Sequence, residues 1–131
     1  GGDLGRYKAG QKSGDPVERY WSLAGLRVAK SSESVETALE DTQSVNRVLA
    51  AEILWVTGKK EAALAAFTKE LGQVTEGYPL LNLVNALERL EMLQLLPKEA
   101  VEGLRGRKMN DDYAAGYVQR FIKRVEDGRA K

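Results

Sequence analysis

The sequence predicts an all-α protein, an α-solenoid of antiparallel helix pairs with about seven helices. The chain repeats itself: Asp15 to Leu26 reappears as Gln43 to Leu54, then more loosely as Glu76 to Leu87 and as Asp111 to Ile122, at offsets of 28, 33 and 35 residues. Each copy is a polar or turn-forming start followed by apolar residues at helical period, and no segment carries a strand signal. Repeats of this length are supersecondary units that bury an apolar face only against their neighbours.

Residues 1–14 hold five glycines and no apolar periodicity, and read as a flexible linker ahead of a helical repeat domain over 15–131. Asp15-Pro16 is a helix start, with Asp as N-cap and Pro at the first helical position. The first long helix is expected over 16–29. Its apolar stripe is Val17, Tyr20, Trp21, Ala24 and Val28, widened by Leu23 and Leu26. Ser31-Ser32 break the pattern, and a short helix follows over 33–40 with Val35, Ala38 and Leu39 inward. The next spans 44–56, capped by Thr42 or Ser44 and stopped by Gly58. From Val48 to Val56 it is apolar nearly all round, which implies burial on several sides at the centre of the domain. A helix over 60–71 turns Ala63, Leu64, Phe67 and Leu71 inward.

After a loop at 75–78, a helix over 79–93 places Leu80, Leu83, Val84, Leu87 and Leu90 on one face. Leu96-Pro97 starts a helix to about 104. The last helix runs over 112–126, capped by Asn110 or Asp111, with Tyr113, Tyr117, Phe121 and Val125 spaced by four. The repeat length and the alternation of short and long helices suit the HEAT class of helical repeats better than the 34-residue TPR class.

Composition narrows the chemistry. The 131 residues include no Cys and no His. That removes thiol nucleophiles, Cys/His zinc sites, disulfides and the commonest general base. Net charge is +1, so nothing pulls the chain as a whole toward nucleic acid. Residues 105–131 carry eight basic and four acidic side chains, and this end reads as a solvated helix face. The longest apolar run, Val48 to Val56, contains Glu52 and falls well short of the roughly 18–20 residues that span a bilayer. No cofactor or metal is expected: the adjacent carboxylates Glu40-Asp41 and Asp111-Asp112 sit at helix ends, where capping explains them. Arg105-Gly106-Arg107-Lys108 reads as a basic helix end before it reads as an anion site. Trp21 and Trp55 lie within apolar stripes and read as packing residues rather than sugar platforms.

Lining up the long helices places Glu52, Asn85 and Arg120 at equivalent positions of successive copies. They form a candidate polar ladder. It is either a binding groove on the concave face or an internal set in which Asn85 bridges Glu52 to Arg120, the second being favoured.

Asp15-Pro16-Val17-x-Arg19-Tyr20-Trp21 leading into Ala24-x-Leu26 resembles the HEAT-type repeats at the C-terminus of many bacterial sulfatases of the arylsulfatase and N-sulfoglucosamine sulfohydrolase kind. Ser44-Val45-x-Arg47 with Ala50-Ala51-Glu52, then Asn85-Ala86-Leu87, then Asn110-Asp111-Asp112-Tyr113 extend the likeness over about residues 15–127. The resemblance implies a non-catalytic accessory domain of a periplasmic or secreted enzyme acting on sulfated glycans or sulfate esters. Catalysis in that family belongs to an upstream domain with a formylglycine, made in a Cys/Ser-x-Pro-x-Arg motif, and a calcium ion. That motif is missing here, so no catalytic residue carries over. The expected partner is the upstream catalytic domain of the same polypeptide. The alternative is an independent scaffold for a protein partner. The chain is expected to be an excised piece. Its first helix, with Tyr20, Leu23 and Val28, is expected to leave an apolar edge that residues 1–14 or self-association would bury.

Overall fold

The computed structural model describes residues 2–130, and these residues are all-α. Seven α-helices follow one another: α1 (Gly2–Gly10), α2 (Pro16–Ala29), α3 (Ser44–Val56), α4 (Lys60–Leu71), α5 (Gly77–Arg89), α6 (Lys98–Arg105) and α7 (Asp112–Ala130). Short 3₁₀ turns lie at Glu36–Glu40 and Leu93–Leu95. The chain divides into two compact units, Gly1–Ala66 and Phe67–Lys131, with the division inside α4.

The repeat is written into the helix ends. α2 closes where Lys30 turns left-handed (φ 54°) and the Ser31 amide reaches back to the Leu26 carbonyl at 3.0 Å. α3 closes at Gly58 (φ 91°), with Lys59 N donating to Leu54 O at 2.8 Å. α5 closes at Glu91 (φ 57°), with Met92 N donating to Leu87 O at 2.9 Å. Each is the same left-handed cap, which satisfies carbonyls that have no partner inside the helix. Lys30, Gly58 and Glu91 are spaced by the offsets of the sequence repeat. Glu91 also explains why α5 stops at Arg89 rather than at 93.

The helix starts follow local chemistry too. Asp15 Oδ1 accepts the Val17 amide at 2.9 Å, with Pro16 in the first turn. Asp111 Oδ1 accepts the Ala114 amide at 2.6 Å at the head of α7. Gln43, rather than Thr42 or Ser44, occupies the cap position of α3, and its side chain makes no capping bond.

In the first unit the core is Leu23, Leu26, Val35, Ala38, Ala50, Ile53, Leu54 and Ala63. α3 runs through it, burying Asn46, Val48, Ala50, Ala51, Glu52, Ile53 and Leu54 on several sides. The stretch read as a linker carries α1, which lies against α2 and adds Leu4 and Tyr7 to the core. Two glycines permit this close approach. A Cβ on Gly25 would stand 2.5 Å from the Tyr7 ring, and one on Gly10 would overlap Ser22. Lys8 pairs with Glu33 and ties α1 to the loop after α2.

The face that α2 buries differs from the stripe of its largest apolar residues. Ser22, Leu23 and Leu26 are inside, whereas Val17, Trp21 and Val28 point outward. Helical period defines both faces; α1 and α3 decide which one is covered.

In the second unit α5 packs on α7, as does α6. α5 buries Leu80, Leu83, Val84, Ala86 and Leu87. α6 buries Val101 and Leu104, and α7 buries Ala114, Val118, Phe121, Ile122 and Val125. Tyr113 and Tyr117 fall at the edge of that stripe, ring to ring at 5.9 Å. No described helix is long and apolar enough to cross a membrane.

Candidate functional site

Glu52, Asn85 and Arg120 fall in different surroundings. Glu52 is buried in the first unit, and its Oε2 accepts Arg27 Nε at 3.0 Å. Arg27 projects from α2, so this buried carboxylate is answered by the preceding copy of the repeat. Asn85 and Arg120 are exposed in the second unit. Arg120 lays its guanidinium over Tyr117, 5.4 Å from the ring centre.

The main polar cluster of the first unit centres on Asp41. Its side chain is 4 % exposed and binds Arg19, itself 17 % exposed, through Nε at 2.7 Å and Nη2 at 3.3 Å. Gln43 N donates to the same carboxylate at 2.9 Å, and Arg47 Nη1 donates to the Asp41 carbonyl at 2.8 Å. The fully buried Asn46 donates to Asp41 and to the Pro16 carbonyl, the latter at 3.2 Å. Burial works against the Asp41 charge. The bonds from Arg19, Gln43 and Asn46 outweigh it and hold the carboxyl below the usual range. Arg19 and Arg47 occupy the same position in copies one and two, so Asp41 is the pin between two repeats. The sequence signal was that pair of aligned arginines with an acid between them.

The other chemistry-bearing groups also serve the fold. Arg107 Nη1 donates to the Leu71 carbonyl, and to the Val74 carbonyl at 3.1 Å, and so closes the C-terminal end of α4. Arg105 lies between Glu102 (3.1 Å) and Glu126 (2.8 Å). Asp111 caps α7. Trp55 is half-buried, with the Lys60 ammonium 4.5 Å above its ring. Leu104, Met109, Val118 and Ile122 floor a groove of about 500 Å³ beside α6 and α7. Its rim charges Arg105, Lys123, Glu126 and Asp127 are already paired with one another.

The outer face of α2 is open to solvent. Val17 is 59 % exposed, Trp21 66 % and Val28 84 %, with the half-buried Ala24 between them. The equivalent residues of α3 are Val45, Leu49, Glu52 and Val56, and all four are buried or half-buried. Thus a face that is covered in the second copy of the repeat lies bare in the first. A groove of about 430 Å³ beside it, lined by Arg6, Tyr7, Glu18, Trp21 and Ser22, extends the surface onto α1. An indole flanked by valines on a helix face is a packing surface without a partner.

Comparison with protein-family models, with curated proteins and with solved structures gives no match for this chain.

Proposed function

We propose that this chain is a non-catalytic helical-repeat module that works by docking, and that its docking surface is the outer face of α2. The observation that carries the reading is the bare strip of Val17, Trp21 and Val28 where the next copy of the repeat is covered. A repeat with an apolar outer face needs a neighbour to cover it, and the outer face of α2 is apolar. The spent chemistry of the polar residues supports the same reading: Arg19–Asp41, Arg27–Glu52, Arg107 and Asp111 are all engaged in holding helices.

The more specific form is the one the sequence resemblance suggests: a HEAT-like solenoid at the C-terminus of a periplasmic or secreted bacterial sulfatase. There it would brace the catalytic domain or contribute to recognition of sulfated glycans or sulfate esters. Two experiments test it. Reading the gene upstream of Gly1 should reveal a Cys/Ser-x-Pro-x-Arg motif; its absence would leave an independent scaffold for a protein partner. In the full polypeptide, Trp21→Glu should leave turnover of a small sulfate ester unchanged while lowering stability or assembly. A parent protein indifferent to Trp21→Glu and to Val28→Glu would overturn the docking reading.

A further inference from the structure

We propose that the outer face of α2 docks on the same face of a second copy of this chain, the two helices lying antiparallel about a two-fold axis. This rests on the docking reading above and names the partner.

The spacing identifies the occupant as a helix. Val17, Trp21, Ala24 and Val28 follow one another by four, three and four residues. That is the seam of two helices crossing at about 20°.

The seam is complementary to itself in one orientation. In an antiparallel pair one register sets Val17 opposite Val28 and Trp21 opposite Ala24 of the second copy. Each large indole then meets a small residue, on both sides of the axis, as an isologous contact requires. A parallel pair would set Trp21 against Trp21.

Charge selects the same orientation. Asp15 and Glu18 lie at the head of α2, Arg27 and Lys30 at its end. The antiparallel register brings the acidic end of one helix beside the basic end of the other and opposes their dipoles. Arg27 is held by Glu52, and Glu18 accepts from Ser13. The match is therefore between helix ends rather than between new ion pairs.

The strip offers on the order of 400 Å² of apolar surface per chain, about half the ~800 Å² per partner of a standard stable interface. The dimer is accordingly weak and reversible.

The test uses the 131-residue chain. In sedimentation equilibrium from about 10 to 500 μM, the average mass should rise from 14.4 kDa toward twice that value. Trp21→Glu and Val28→Glu should each hold it at the monomer mass with an unchanged helical circular dichroism spectrum. The chain has no cysteine, so a Val17→Cys/Val28→Cys double variant reports the register directly. Oxidation should join position 17 of one copy to position 28 of the other. Within one helix the two positions stand about 16 Å apart, beyond disulfide reach. A monomer at every concentration would overturn the proposal, as would links joining only 17 to 17 and 28 to 28. If the chain stays monomeric while Trp21→Glu still weakens the parent protein, the second-copy partner falls and the docking surface stands.

Discussion

Asp41 shows how much one residue can hold together in a repeat. It gathers Arg19 from α2, Gln43 and Asn46 from the start of α3, and Arg47 through its carbonyl. Asp41→Ala leaves the largely buried Arg19 without its carboxylate and should destabilise the first unit by about 2–4 kcal/mol. Urea unfolding measures this, and the Arg19→Ala/Asp41→Ala double variant should lose less than the two single losses combined. The depressed carboxyl also sets a pH window. Its stabilising share is complete above about pH 4, the unfolded carboxyl range, and is lost as pH falls through the lower folded value. Thermal melts between about pH 2 and 5 should therefore slope more steeply for the natural chain than for Asp41→Asn. The clamp was only half legible in the sequence. Arg19 and Arg47 align in the repeat, but Asp41 lies 22 residues from Arg19, and their meeting depends on how α2 and α3 pair.

At the level of elements, local signals are legible in the sequence, whereas tertiary contacts are not. α2, α3 and α4 begin and end where Asp15-Pro16, Gly58 and the apolar period place them. α5 ends early because Glu91 adopts a left-handed conformation that its residue type does not announce. Lys30 holds the same strained position that Gly58 holds in the next copy. Lys30→Gly should thus stabilise the first unit by about 0.5–1 kcal/mol in the same urea assay, the steric relief exceeding the added chain entropy. α1 was hidden for a different reason. A short segment with three glycines is a poor isolated helix, and its order comes from Tyr7 lying against Gly25 and from Lys8 meeting Glu33. Gly25→Ala should push the Tyr7 ring out and release α1, at a cost of about 1–3 kcal/mol. Hydrogen exchange should then quicken across residues 3–10 and stay slow in α3. The face α2 buries has the same origin: the large residues Val17 and Trp21 mark one stripe, while the residues covered by α1 and α3 are Ser22, Leu23 and Leu26.

Across the whole molecule, the residues that hold the helices are distinct from the exposed apolar face of α2. The Arg19–Asp41 and Arg27–Glu52 pairs are occupied within the fold, the Gln11 side-chain amide and Asn46 Oδ1 are buried without a hydrogen-bond partner among the described residues, and the outer face of α2 is an uncovered apolar strip. Of the candidate ladder, Glu52 is answered by Arg27, while Asn85 and Arg120 stand exposed. Aligned repeat positions share a register without sharing a partner, which is why sequence alignment alone could not resolve them. Trp21 is open to solvent in the isolated chain, and the proposed docking would cover it. Acrylamide quenching of Trp21 in a Trp55→Phe chain, at high dilution, tests this. The expected quenching is close to that of a free indole. A Trp21 protected at high dilution would mean that the chain covers this face itself, and the outer face of α2 would then not be a docking surface.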